Sequence, residues 1–277
     1  MYNRKPVSAV MDANVVRIDA RARLDQVSRL VTARSASGRR DDFIITRHGA
    51  CLGMGQMIDL LRQITAQQIQ AAKHSNQLTG LPGNREIQSH LSQWLSRHQP
   101  FVACHLDLDH FKIFNDSYGY ARGDQVLLHV AETLVRNLRQ RVDFVGHVGG
   151  DGFVFLLRSQ DWSLRLMSLL EDLAASLPNF YDGEHREAGF IVGRDRDGEE
   201  RHFALLSASM AVVQIDGDPS ATSELVAERL RRAKKAAKAQ AGYSCVLINP
   251  DGRVLDLIAP EAVAVSGEPV QVPMLLG

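Results

Sequence analysis

The stretch VGGDGFVFLL, residues 148–157, sets one aspartate among three glycines and then runs into five apolar residues. The preceding DFVGHV (143–148) is also β-prone, so two strands flank a glycine-rich turn and the segment reads as a hairpin. Glycines at such a tip supply positive φ angles and let a ligand come close to the backbone. Asp151 then stands at the tip, beside Gly149 and Gly150. An aspartate in a turn is also commonplace, and a hairpin of this kind can serve only as a connector.

Moving upstream, HLDLDHFKIFND (105–116) ends an apolar run with Asp107 and Asp109. Strand side chains alternate, so these two carboxylates share one face and Leu108 points to the other. Carboxylates at a strand end suit a hard cation such as Mg2+, which takes oxygen ligands and usually shares them with phosphates. The alternative is a polar strand terminus that caps the next turn. The following NDSYGYARGDQ (115–125) reads as a long polar loop carrying Asn115 and Asp124. An amide and a carboxylate can match the donor and acceptor edge of a purine, or they can be a turn residue and a helix N-cap. Downstream, RRAKKAAKAQ (231–240) puts Lys234 and Lys238 one helical turn apart on one face. That pair suits a triphosphate, and equally a solvated basic face.

Around these segments the patterning alternates. Helical periodicity marks EIQSHLSQWLSRH, GDQVLLHVAETLVRNLRQ, WSLRLMSLLEDLAASL and TSELVAERLRRAKKAAKAQ. FVACHLDLD, DFVGHV, FVFLL, FALLSASMAVVQI and SCVLI read as strands, with a polar insertion from Tyr181 to Arg201. A hairpin interrupting a helix–strand alternation predicts an α+β fold, a mixed central sheet surrounded by helices. Residues 1–62 form a smaller α+β unit, with NVVRI and DDFIIT as strands and Leu24, Val27, Leu30 and Val31 at helical spacing. No glycine or proline interrupts 63–76, so the helix closing that unit continues as a linker. TGLPGNR marks the boundary to a second domain over 77–250, and 251–277 is a weakly patterned tail.

Composition bounds the function. With 45% apolar and 23% charged residues the chain is globular, and no apolar run approaches the ~20 residues of a membrane span. Lysines and arginines equal aspartates and glutamates at 32 each, which removes the electrostatic case for nucleic acid. The N-terminus lacks a secretory apolar stretch and the three cysteines are scattered, so a cytoplasmic protein with reduced thiols is expected.

Five motifs in order resemble the GGDEF family, the diguanylate cyclases that condense two GTP into cyclic di-GMP. They are NQLTGLPGNR, DLDHFKIFNDSYGYARGD, GGDGF, SASMAV and AKKAAK, spanning about Asn76 to Pro250. The resemblance implies that Asp107, Asp151 and the backbone carbonyl of Leu108 hold Mg2+ (or Mn2+). It assigns guanine to Asn115 and Asp124, the phosphates to Lys234 and Lys238, and a supporting charge to Lys112. It implies a homodimer, since each domain binds one GTP. PVSAVM followed by DDFIITRHGACLGMGQMIDLL resembles a single CBS motif, which implies an adenosine nucleotide as a regulatory ligand of the first unit.

The chain departs from the family pattern at several points. Gly152 stands where the signature has an acid, Asn76 at the opening Asp, Tyr120 at the histidine of G-H-x-x-G-D and Ala211 at the glycine of S-x-G. His147 and Val148 replace the arginine usually found just before the signature. The product-inhibition motif R-x-x-D reads QRVD, with Gln140 for arginine, Arg139 and Arg141 alongside and Asp143 kept. The expected activity is a diguanylate cyclase tuned by the N-terminal unit. The alternative is a catalytically inactive GGDEF domain that binds GTP or cyclic di-GMP as a sensor, and a third reading is a dimerisation module that binds no nucleotide.

Overall fold

The computed structural model describes residues 6, 9, 15–22, 24–32, 42–139, 141–194 and 198–258. Gln140, most of PVSAVM and the tail beyond 258 lie outside them. The chain divides into two units, Met1–Lys73 and His74–Gly277.

In the first unit, β1 (Arg17–Asp19) pairs in parallel with β2 (Phe43–Arg47), which pairs antiparallel with β3 (Ala50–Gly55). Helix α1 (Leu24–Thr32) buries Val27 and Val31 with Ile18, Phe43 and Leu60. Leu30 is exposed rather than part of that stripe. Strand β3 was not expected; ACLGMG contains two glycines and little β-branching, so local propensity hides a strand that the hairpin turn at His48–Gly49 and pairing with β2 impose. Helix α2 (Met57–His74) runs unbroken, as the absence of helix breakers predicts.

The second unit is the mixed sheet expected from the hairpin. Its elements are α3 (Asn84–Leu95), β4 (Phe101–Asp109), α4 (Phe111–Tyr118), α5 (Tyr120–Asn137), β5 (Phe144–Gly149), β6 (Gly152–Leu157) and α6 (Trp162–Ser176). After them come α7 (Gly183–Ala188), β7 (Phe190–Arg194), β8 (Glu200–Ala204), β9 (Ser207–Ile215), α8 (Ser223–Ala237), β10 (Ser244–Ile248) and β11 (Val254–Ile258). The strand order is β11-β10-β9-β4-β6-β5, with only β9 and β10 parallel.

Strand β4 is central and buried along both faces, which explains its near-continuous apolar run. Cys104, Leu106 and Leu108 pack with Phe153 and Phe155 beneath α5 and α6. Phe101 and Ala103 pack on the other face with Leu91, Trp94, Ala233 and Ala237 of α3 and α8. The odd-numbered residues of β4 thus begin as core and end, at 105, 107 and 109, as polar groups on the α8 side.

Four expectations need correcting. NDSYGYARGDQ is not a loop: Asn115 lies in α4 and Asp124 inside α5, with the chain broken only at Gly119 (φ 81°). Its polar residues are the outer faces of two short-linked helices, and Asp124 is not an N-cap because α5 starts at Tyr120. FALLSASMAVVQI splits into β8 and β9, which belong to different sheets. The 181–201 insertion contains α7 and, with β8, a β-ribbon rather than an unstructured excursion. Beyond residue 250, VLDLI adds β11 to the edge of the main sheet.

Candidate active site

The hairpin tip forms as the glycines predict. Gly149 (φ 111°) and Gly150 (φ 58°) both take positive φ, and a Cβ on either would meet no atom within 4 Å. Glycine is there for backbone conformation and for the open approach it leaves, not because neighbours crowd it. Asp151 follows, and Gly152 starts β6 directly opposite Asp107 of β4.

The two aspartates of β4 have different surroundings. Asp109 is engaged on both oxygens: Ser207 and Ser209 donate hydroxyls to Oδ2 at 3.1 and 2.7 Å, and Lys238 Nζ donates to Oδ1 at 3.3 Å. Asp107 is nine-tenths buried, and its Oδ2 lies 2.7 Å from Lys234 Nζ and 2.8 Å from His105 Nδ1. Neither Asp107 Oδ2 nor His105 Nδ1 makes an aligned hydrogen bond among the described residues. Burial alone would raise the Asp107 carboxyl, but the contacts and charges of His105 and Lys234 outweigh it and hold the group below its ordinary value. Asp151 goes the other way: burial and then the charge of Asp107 push it up, only partly offset by its own backbone, Lys238 and Lys234. Two carboxylates, one raised by the other, thus lie beside two ammonium groups.

Among the described residues no three His, Cys, Asp or Glu side chains converge as a ready metal cluster. Magnesium seldom needs one, because one or two carboxylates plus substrate phosphates suffice. The buried, unaligned oxygen of Asp107 beside a charge-strained Asp151 fits such a shared cation. Leu108 is 1% exposed with its side chain in the opposite core, so only its backbone is available to a ligand on this side.

A cavity of about 530 Å3 adjoins the tip, lined in part by Asn115, Asp124, Tyr120, His147 and Gly150. Asn115 Oδ1 is buried without a hydrogen-bond partner among the described residues, an acceptor waiting for a donor. Gly123 makes room for it: a Cβ there would come within 1.9 Å of that oxygen. Gly123→Ala therefore displaces Asn115, and its effect on purine nucleotide affinity should match that of Asn115→Ala. Titration calorimetry should show roughly 10-fold weaker binding for each, since one buried hydrogen bond is lost.

Lys112 is exposed on α4, apart from the carboxylate–lysine contacts. Of the three positions in the product-inhibition motif, Arg141 is exposed. The Asp143 carboxylate is buried and accepts from the backbone of Arg139, Arg158 and Ser159 and from the Ser159 hydroxyl, while the Arg139 guanidinium pairs with Asp161 at 3.0 Å. Asn76 keeps the acceptor role of an aspartate, its Oδ1 receiving the N–H groups of Leu78 and Thr79.

Two residues make contacts that the residue pattern did not indicate. His105 sits in an apolar strand, where a lone histidine signals nothing, and His147 entered only as a departure from the family pattern. His147 is 3% exposed, stacks on Phe153, donates from Nε2 to the Gly150 carbonyl at 3.0 Å and meets Thr79 Oγ1 at 3.1 Å through Nδ1. It thereby ties the hairpin tip to the TGLPGNR turn. Burial is the largest influence on His147 and depresses its pKa, despite the Gly150 carbonyl. A depressed histidine favours the neutral fold, so its contribution is present above about pH 6.5 and is lost as pH falls through the lower folded value. Thermal unfolding should show a steeper loss of stability below about pH 6.5 in the native chain than in His147→Gln.

The family model described as diguanylate cyclase, GGDEF domain, matches residues 73–216. The diguanylate cyclase DgcP of Escherichia coli is 36% identical over 168 residues, covering 57% of this chain and 48% of that protein. The bifunctional diguanylate cyclase/cyclic di-GMP phosphodiesterase MucR of Pseudomonas aeruginosa is 30% identical over 161 residues, covering 55% of this chain and 23% of its own. The chain thus spans less than half the length of these curated relatives. In fold it is similar to the coiled coil and GGDEF domain of DgcB from Caulobacter crescentus in complex with c-di-GMP. That likeness has a TM-score of 0.52 at 19% identity and covers 68% of this chain and 93% of that one. Diguanylate cyclase SiaD of Pseudomonas aeruginosa, in complex with its activator SiaC, also aligns with TM-score 0.52 at 24% identity, over 80% of this chain and 73% of that one. With the hairpin, the mixed sheet and a family match over more than half its length, this chain belongs to the GGDEF family.

Proposed function

We propose that the chain is a diguanylate cyclase, joining two GTP into cyclic di-GMP with release of pyrophosphate. The observation that carries this reading is the meeting of Asp107, Asp151, Lys234 and Lys238 at one sheet end beside a cavity that holds an unpartnered Asn115 oxygen.

Guanine presents adjacent N–H donors on its Watson–Crick edge where adenine presents an acceptor, so the acceptor oxygens of Asn115 and Asp124 favour guanine. Lys234 and Lys238, held on Asp107 and Asp109 at 2.7 and 3.3 Å, are free to turn to incoming phosphates. Gly149 and Gly150 let the triphosphate approach the backbone. Lys112 adds positive charge from α4. Asp107, Asp151 and the Leu108 carbonyl would hold Mg2+ or Mn2+, which supplies Lewis acidity that eases deprotonation of a ribose 3′-hydroxyl and neutralises the triphosphate. The 3′-oxygen of one GTP then bonds to the α-phosphorus of the other as the bond to pyrophosphate breaks, and the reciprocal step closes the ring.

One domain holds one GTP, so two copies must face each other, with α2 and the CBS-like unit 1–62 setting their geometry. An adenosine nucleotide is the ligand proposed for that unit, and the cytoplasm, where GTP is present, the compartment. No described helix is long and apolar enough to cross a membrane. Gly152, which removes a carboxylate from the signature, favours the second reading of a GTP or cyclic di-GMP sensor. Chromatography after incubation with GTP and Mg2+ or Mn2+ separates the two: cyclic di-GMP is expected, absent with ATP, and binding without product would favour the sensor.

A further inference from the structure

Two tyrosines flank the junction of α4 and α5 at Gly119, and their surroundings are opposite. Tyr118 is taken up by packing. Its ring meets Phe114 and Tyr181, the Arg122 guanidinium lies 4.4 Å over it, and its hydroxyl accepts the N–H of Asp182 at 3.2 Å and contacts His185 Nδ1. Arg122 in turn donates to Asp182 at 2.8 Å, so both sides of the junction are pinned to residues 181–185. Tyr120 has none of this. At 77% it is the most exposed large apolar side chain among the described residues, and among them it has no ring contact and no hydroxyl hydrogen bond.

Tyr120 nevertheless lines the cavity beside the hairpin tip. On α5 it shares a face with Asp124 and Leu127, at i+4 and i+7, which line the same cavity. Helical side chains lean towards the N-terminus, so Asp124 leans back towards Tyr120, with Cβ atoms about 5–6 Å apart. A flat ring in contact with Tyr120 at about 3.5–4 Å therefore keeps its edge within reach of Asp124. Leu78, Phe111 and the buried Leu127 supply apolar wall. The acceptors Asn115 and Asp124 meet only the edge of a base. Its faces need flat or apolar cover, which a tyrosine ring gives at low cost in side-chain entropy.

We propose that Tyr120 is the base-stacking residue of this cavity, covering one face of the purine whose edge Asn115 and Asp124 read. The proposal rests on the reading of the cavity as a guanine site and adds to it a residue that stands where the family pattern has histidine. Stacking is indifferent to the edge of the base, because every base has a π-face. Tyr120 thus supplies affinity, and the acceptors supply the choice of base.

The test is titration calorimetry on the full chain with Mg2+ and a GTP analogue whose α,β-bridging oxygen is a methylene group, so that no turnover intervenes. Its inosine counterpart, which lacks the 2-amino donor, is measured beside it. Tyr120→Ala should bind both roughly 10-fold more weakly with their ratio unchanged, while Tyr120→Phe and Tyr120→Trp stay within about 3-fold of the native chain. The indole added in Tyr120→Trp should change its emission when the guanine analogue saturates the site. Equal affinity of the native chain and Tyr120→Ala, or an equal loss in Tyr120→Ala and Tyr120→Phe, would overturn the stacking role and leave the guanine reading intact. No binding of either analogue by the native chain would overturn both.

Discussion

Asp151→Asn is expected to reduce cyclic di-GMP synthesis severely and, in the same protein, to raise the melting temperature of the metal-free chain. The two effects have one cause. Asp151 is forced into a half-buried place beside Asp107, and burial together with that neighbouring charge raises its pKa. A carboxyl whose folded pKa is raised contributes stability only at low pH, and that contribution is lost as pH rises through the folded value. At neutral pH the ionised side chain therefore opposes folding, and the isosteric amide relieves this. The same amide cannot supply the negative charge that a cation and triphosphate require, so turnover should fall on the order of 10²–10³-fold, the range for loss of one preorganised electrostatic group. Calorimetry and product chromatography on the one variant check both halves. A destabilised variant would mean that Asp151 is a structural turn residue, the alternative that its position in a glycine hairpin leaves open.

Gly152→Glu is the converse experiment and is expected to increase synthesis with Mg2+, but only with room made for it. A Cβ at 152 would stand 2.8 Å from Val148 Cγ2, closer than such contacts tolerate, and valine is too short to swing aside. The single variant should therefore gain little and lose stability, whereas Gly152→Glu with Val148→Ala should gain on the order of 10- to 100-fold with Mg2+, the scale of an outer ligand restored to a metal site. Rates with Mg2+ for the native chain and the single and double variants measure this directly. Equal rates in all three would show that position 152 has no part in the chemistry.

Much of this was legible in the residues. The central strand, the hairpin and the helix that carries Lys234 and ends at its C-cap Lys238 are each announced by a local pattern, an apolar run, paired glycines or a repeated i,i+4 spacing, and local patterns survive into the fold. The guanine-side residues were found but misplaced on a loop, because the polar faces of α4 and α5 read as a polar segment when their apolar faces are not weighed. β3 and β11 were missed for a different reason: both lie at sheet edges, where pairing with a neighbour rather than intrinsic propensity makes the strand. His147 showed only as a departure from the family pattern, and His105 not at all. Their contacts, with Asp107 for one and the Gly150 carbonyl for the other, exist only once the sheet has formed. Nothing in the described residues explains Ala211 in place of glycine beyond its burial against the α8 side of the sheet.

The most direct test of the central claim follows cyclic di-GMP and pyrophosphate in one reaction of the native chain with GTP and Mn2+, beside Asp151→Ala. The account predicts two pyrophosphates for every cyclic di-GMP, and neither product from the variant. Tight GTP binding by the native chain with no pyrophosphate released over many hours would contradict it, and the chain would be a nucleotide sensor.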